Sequence, residues 1–193
     1  METRNKMEPE FERMAKAFPK SVGPVVKSLS EKLTLNPKTE PYLGFSLVLD
    51  GEELEIPYRI YFNLGDIPKL SDRETLLTYC YFTRHFDGFV REESLKKIIK
   101  CEEYFTTPFI IQLVGEYVVQ NQQVVLNNLN EPLLKNIRKF KSENEEYFKK
   151  TTARVNSYWD CFYRRDEFPK WENYPGNKIM KKINEFNSEG KSV

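Results

Sequence analysis

The residues best suited to chemistry lie in one short stretch, 83–95, which contains the chain's single histidine. Arg84, His85, Asp87 and Arg91 bring together two guanidinium groups, an imidazole and a carboxylate. An imidazole can act as a general base and paired arginines can hold an anion, so the stretch could belong to an enzyme or to a small-anion site. A structural use is also open, because a histidine in the last turn of a helix can hydrogen-bond the terminal carbonyl groups.

Arg91 is predicted to point into the core. At about 100° per residue, it falls between Val90 and Leu95 on the apolar side of its helix. A buried guanidinium needs a carboxylate or several carbonyl groups as partners. We expect Asp87, the predicted N-cap of this helix, to be its first acidic partner and Glu116 its second.

Glu116 belongs to a largely apolar segment that predicts one long helix from Pro108 to about Leu129. The polar side chains of this helix share an arc of about 80°, so the other faces must contact neighbours. Gly115 in mid-helix costs about 1 kcal/mol relative to alanine, which a close helix crossing would explain.

Two interpretations of Glu116 stay open, since it is the only charged residue between Tyr104 and Asn130. It can face solvent on the one polar face of the helix. Alternatively it is partly buried and paired with a cation of the first stretch, for which the candidates are Arg84, His85 and Arg91. We rank a catalytic role for Glu116 below both.

The stretch resembles a HEAT-type helical repeat, in which an acidic turn leads into a second helix that carries Val-Arg, a small residue and Leu. Asp87, Val90-Arg91, Ser94 and Leu95 match that pattern within residues 71–99. The resemblance implies a scaffold of packed helix pairs with a structural arginine. No second copy follows at a repeat-like period.

No further pattern indicates catalysis, so His85 and Glu116 are the only catalytic candidates. Cys80, Cys101 and Cys161 are odd in number and lack CxxC spacing. Together with one histidine, they predict no metal site and no cofactor. With no export signal before them, we expect reduced, mostly buried thiols and a soluble, cytoplasmic protein.

Aromatic residues are concentrated near the C-terminus, where Trp159, Trp171 and Tyr174 accompany Arg165. Such residues can dock a terminal segment on its own bundle, form a protein interface, or stack on single-stranded nucleic acid. The formal net charge of +1 makes nucleic acid an improbable partner, because few phosphate contacts are available. The apolar run from Pro108 to Val119 is too short for a membrane span.

Hydrophobic periodicity predicts an α+β, predominantly α fold in one domain spanning all 193 residues. The expected parts are N-terminal helices in 1–42, a β-hairpin in 43–63 with an Asp50-Gly51 turn, and an irregular HEAT-like helical bundle in 71–187. Capping boxes are expected at Ser71–Glu74 and Ser142–Glu145. The helix that follows Ser142–Glu145 is expected to carry an inward stripe that ends at Phe162. The last helix is expected to span Lys178–Phe186.

The sequence therefore favours a non-enzymatic protein-interaction or scaffold protein, with another protein as partner and a homo-oligomer left open. An enzyme or small-anion-binding protein, with a groove around Arg84, His85, Arg91 and Glu116, is the first alternative. A weak nucleic-acid-binding protein is the second.

Overall fold

The computed structural model describes residues 8–33, 43–61 and 69–185, and these contain nine α-helices and one antiparallel pair of strands. The α+β, predominantly α class is confirmed. The chain divides into two compact units, Met1–Ile98 and Ile99–Val193. The single domain stays a prediction. None of the helices in the described ranges combines the length and apolar character that a bilayer crossing requires.

Within the described residues, the first unit contains four α-helices and the hairpin. Its elements are α1 Glu8–Lys16, α2 Gly23–Lys32, β1 Gly44–Leu49, β2 Glu52–Pro57, α3 Asp72–Phe82 and α4 Gly88–Ile98. α1 packs on α2 and β2, α2 packs on α3, and α3 packs on α4. Residues 1–7 and 34–42 of the predicted helical part, and residues 62–63 of the predicted hairpin, lie outside the described ranges.

The hairpin turns at the predicted dipeptide. Asp50 and Gly51 have φ values of 52° and 79°, the left-handed conformation that a tight primed turn needs. Leu47 and Leu54 face each other across the ladder and are both buried. The ribbon thus turns one apolar face toward the helices of its unit.

Helix α3 begins at the predicted capping box. The Ser71 hydroxyl accepts the Glu74 N–H, and the Glu74 carboxylate accepts the Ser71 N–H at 2.8 Å. Leu77, Cys80 and Tyr81 of this helix are buried, and Leu76 is half-buried. Local capping and periodicity therefore locate this helix correctly.

The second unit is helical. Its elements are α5 Thr107–Val114, α6 Val119–Asn127, α7 Glu131–Glu143, α8 Glu145–Tyr158, a π-helical turn Trp159–Tyr163 and α9 Pro175–Asn184. Every residue of α5 is buried, and α5 contacts α6, α7 and α8, so it lies at the centre of this unit.

The prediction of one long helix Pro108–Leu129 is wrong, because the helix is interrupted between α5 and α6. The Gln122 side chain donates to the Val114 and Glu116 carbonyl oxygens at 2.9 and 3.2 Å. These bonds replace the ones that an uninterrupted helix would make within itself. The close crossing expected at Gly115 is confirmed, since a Cβ there would lie 3.1 Å from Thr151 Cγ2.

Two helix boundaries near the C-terminus also differ from expectation. Ser142 lies inside α7 and donates to the Lys139 carbonyl oxygen at 2.7 Å, so the second capping box is wrong. Asn144 is the residue between α7 and α8. The last helix begins at Pro175 rather than Lys178, and residues 186–187 lie outside the described ranges.

Candidate functional site

The loop between α3 and α4 is attached to the chain that leaves the hairpin. The Ile60 N–H donates to the Arg84 carbonyl oxygen at 2.8 Å, and the Phe86 N–H donates to the Ile60 carbonyl oxygen at 3.0 Å. Arg84 is fully buried, and its Nη2 donates to the Tyr58 carbonyl oxygen at 3.3 Å. Backbone bonds therefore fix the position of His85, between Arg84 and Phe86.

Arg91 is buried, as predicted. It is 3% exposed, and its Nη1 donates to the carbonyl oxygens of His85 and Phe86 at 2.9 and 2.8 Å. The guanidinium thus bonds backbone carbonyls where α3 gives way to the loop. Pairing of Arg91 with Asp87 or Glu116 stays a prediction.

His85 and Asp87 complete the turn into α4. The His85 Nδ1 accepts the Asp87 N–H at 3.1 Å, and the Asp87 carboxylate accepts the Phe89 N–H at 2.8 Å. The second bond is the one expected of an N-cap. His85 is 3% exposed, so solvent has little access to its ring. The polar side chains of His85 and Asp87 therefore stabilise the backbone of their own loop.

The five binding candidates are divided between the two units. Arg84, His85, Asp87 and Arg91 come together in the first unit, whereas Glu116 belongs to the second. Glu116 is 5% exposed, so the expectation that it faces solvent is wrong. Within the described ranges, no group of three or more His, Cys, Asp or Glu side chains is placed to hold a metal ion.

The aromatic residues near the C-terminus pack largely on one another. The Trp159 indole N–H donates to the Phe168 carbonyl oxygen at 2.8 Å, and its ring lies 5.0 Å from that of Trp171. Trp171 in turn stacks on Tyr174 at 5.8 Å. Tyr174 is fully buried, and this burial raises its pKa to about 12. Arg165 is exposed.

A second group of rings faces solvent, and we call it the aromatic surface: Tyr117, Tyr158 and Phe162. Each pair of ring centroids is separated by 6.1–6.2 Å, so the three rings contact one another. Phe162 is 59% exposed and Tyr117 is 53% exposed, while Tyr158 is half-buried. The inward orientation expected for Phe162 is therefore wrong.

Tyr163 holds the aromatic surface in place from below. Its hydroxyl donates to the Tyr117 carbonyl oxygen and accepts the Val119 N–H at 3.3 Å, which ties the π-helical turn to the break between α5 and α6. Burial raises the pKa of the Tyr163 hydroxyl, so it stays protonated and able to donate at neutral pH. Tyr117 and Phe162 are thereby held side by side.

Sequence reasoning missed the two most exposed members of this surface. The predicted continuous helix includes Tyr117, and the predicted inward stripe of three-four spacing includes Phe162. Gly115, two residues before Tyr117, was the available signal, because glycine commonly marks helix ends. No comparable feature of the sequence predicts the π-helical turn that contains Phe162.

The first unit also exposes aromatic rings. Phe86 stacks on Tyr61 with centroids 5.7 Å apart, and Phe89 is 82% exposed at the start of α4. These rings lie beside the buried Arg84–Arg91 loop and present a smaller stacked group than the three-ring aromatic surface.

Comparison with known proteins gives no match among protein-family models, curated proteins or solved structures. The resemblance to a HEAT-type repeat stays a prediction that rests on the residues of α3 and α4.

Proposed function

We propose that this chain is a non-enzymatic protein-interaction protein that binds its partner through the aromatic surface. The carrying observation is the exposure of Tyr117 and Phe162 within a cluster of three mutually contacting rings. Exposed apolar rings lose contact with water when a partner covers them, and aromatic residues are enriched at binding hot spots.

The fixed geometry of the surface supports the same proposal. Tyr163 bonds the backbone on either side of Val118, and the π-helical turn carries Phe162 directly before Tyr163. Binding therefore needs little ordering of the rings, which lowers its entropic cost. π-helical turns are also found preferentially at functional positions.

Burial of the polar side chains in residues 83–95 favours the scaffold function over the enzyme alternative. Arg84, His85 and Arg91 are each 3% exposed or less, and the Arg91 Nη1 bonds go to backbone carbonyl oxygens. Buried groups that serve their own backbone are poorly placed to meet a substrate.

The test is an affinity capture from a lysate of the native cells with three forms of the intact chain. Wild type is compared with the double variant Tyr117→Ala/Phe162→Ala and with Phe89→Ala, which removes an equally large exposed ring from the first unit. Circular dichroism and tryptophan fluorescence check that each form is folded. Quantitative mass spectrometry then compares the captured proteins.

We expect a defined set of proteins to bind wild type and Phe89→Ala, and to fall about thirtyfold or more in the double variant, the loss expected for one hot-spot ring. Equal capture by all three forms would show that partners do not bind through the aromatic surface. Loss in Phe89→Ala alone would move the binding site to the first unit.

A further inference from the structure

The second unit carries a groove of about 710 Å³ at the junction of α7, α8 and α9. Its longest wall is one face of α8, and it is lined there by Glu145, Phe148, Lys149, Thr152, Ala153 and Asn156. These positions recur at three- and four-residue spacing, so they form one stripe along three turns of helix. At 1.5 Å per residue, the stripe is about 16 Å long.

Contacts between α8 and α9 define the direction of the groove. A Cβ at Gly176 would lie 2.7 Å from Val155 Cγ1, and the Thr152 hydroxyl lies 3.8 Å from the Met180 sulfur. Later residues of α9 thus meet earlier residues of α8, so the two helices are antiparallel. The groove follows their seam, with Asn156 near one end and Glu145 near the other.

The groove has a basic lining. Arg138, Lys141 and Lys149 line it together with Glu145, while Arg138 pairs with Glu131 at 3.8 Å and Lys149 pairs with Glu146 at 2.5 Å. Lys141 Nζ donates to the neutral Oδ1 of Asn184 at 2.7 Å, a bond that does not compensate its positive charge. Over the residues of α7, α8 and α9 the sequence has ten Lys or Arg and four Asp or Glu. The groove therefore attracts an anionic ligand.

The floor of the groove is apolar. Phe148, Met180 and Ile183 form it, and exposed Ala153 lies on the α8 wall. Methionine adapts to different apolar surfaces, which is why it is common in grooves that bind helices. An anion without apolar groups would leave this floor unused, so the ligand must combine negative charge with an apolar face.

We propose that this groove binds an acidic amphipathic helix of a partner protein. The groove is half-open, and a helix that lies in it buries one face while its other faces stay in water. A stripe of three turns matches the apolar positions i, i+3 or i+4, and i+7 of such a helix. Its acidic residues lie toward Arg138, Lys141 and Lys149.

Two other occupants fit the groove less well. A second copy of this chain that used the same face would bring two basic surfaces together. Single-stranded nucleic acid would match the charge, but the buried Phe148 is the one aromatic ring among the residues that line the groove, so bases would find little to stack on. The site also goes beyond the aromatic surface, because none of its lining residues is one of the three rings.

The test uses display selection on the intact chain. The library consists of helical peptides of about 18 residues, with Leu fixed at the spacing given above and the remaining positions randomised. We expect the enriched peptides to be rich in Asp and Glu. Their affinities are then measured by fluorescence anisotropy against wild type and four variants.

Lys149→Glu and Lys150→Glu are the matched pair, because they make the same charge change on α8 but only Lys149 lines the groove. We expect Lys149→Glu to weaken binding about tenfold and Lys150→Glu to leave it nearly unchanged. Ala153→Arg adds positive charge but fills the groove, so it too should weaken binding. Phe162→Ala should have no effect.

Several results overturn the proposal. The groove is not a helix site if no peptide is enriched, if the enriched peptides are neutral or basic, or if Lys150→Glu weakens binding as much as Lys149→Glu. Stronger binding by Ala153→Arg indicates attraction of charge alone. Groove-dependent binding of a short single-stranded RNA or of a second copy assigns the site to those occupants, and loss in Phe162→Ala moves the peptides to the aromatic surface.

Discussion

Gly176 of α9 lies so close to Val155 of α8 that a Cβ on the glycine would come within 2.7 Å of Val155 Cγ1. The same Cβ would lie 2.9 Å from a ring carbon of Tyr174 and 3.0 Å from Gln122 Oε1. The absence of a side chain at residue 176 therefore lets α9 pack against α6 and α8 together. The contact links the buried Tyr174 ring to the Gln122 side chain, which caps the C-terminal end of α5.

Replacing Gly176 by alanine is predicted to destabilise the second unit by about 1–3 kcal/mol, because all three neighbours are constrained by packing. Both tryptophans lie in this unit, so urea unfolding followed by tryptophan fluorescence reports on it directly. Gly23→Ala is the control, since a Cβ there meets nothing within 4 Å. A Gly176→Ala midpoint equal to that of the control would contradict the packing argument.

Replacing Arg91 by alanine is predicted to cost about 3 kcal/mol, because it removes a buried cation that bonds two carbonyl oxygens. Amide hydrogen exchange should become faster in residues 83–91. Lys97→Ala, an exposed change on the same helix, should cost about 0.5 kcal/mol or less. If both variants unfold alike by circular dichroism, Arg91 does not hold the loop.

Glu74 should make the first unit sensitive to acid. The Lys32 ammonium, the Ser71 N–H and the Ser28 hydroxyl lower the pKa of this carboxyl from 4.5 to about 2. The unfolded chain therefore takes up the proton at a higher pH than the folded chain. The stabilisation is complete above about pH 4.5 and is lost as the pH falls toward 2.

The free energy of unfolding should thus be lower for Glu74→Gln than for wild type at neutral pH, and the difference should shrink between pH 4.5 and 2. Glu31→Gln, which removes an exposed carboxylate from α2, is the matched control. A Glu74→Gln difference that stays constant down to pH 2 would mean that the charge of Glu74 does not stabilise the fold.

Local signals in the sequence account for the parts of the fold that were predicted. Ser71 caps α3, Asp50 and Gly51 close the hairpin, and Arg91 is buried, because each depends on neighbours within a few residues. Such capping, turn and periodicity rules involve only short stretches of chain.

The break between α5 and α6 also involves a distant group. The Tyr163 hydroxyl bonds the backbone of Tyr117 and Val119 at the break, and it comes from a segment more than forty residues later. Phe162 was misplaced for a related reason. The Arg164 N–H donates to the Trp159 carbonyl oxygen, five residues back, which shifts the side chains out of the three-four register. Periodicity cannot anticipate such an insertion.

Nucleic acid should bind weakly and without sequence preference. Counterion release scales with the number of phosphate contacts, and the chain's formal net charge is only +1. Fluorescence anisotropy with single-stranded RNA and DNA at physiological salt should give dissociation constants no tighter than on the order of 10 μM. Submicromolar binding would favour the nucleic-acid alternative over the interaction protein.

The three cysteines should differ in reactivity according to their positions. Cys161 is exposed in the π-helical turn, Cys101 is half-buried and Cys80 is buried in α3, and none of the three forms a disulfide. A thiol reagent should therefore modify Cys161 first in the folded protein, and Cys161→Ser should abolish that fast phase. Cys80 should react only as the first unit opens. Denatured, unreduced protein should titrate three thiols. A count of one would reveal a disulfide and would contradict the expectation that the protein resides in a reducing compartment.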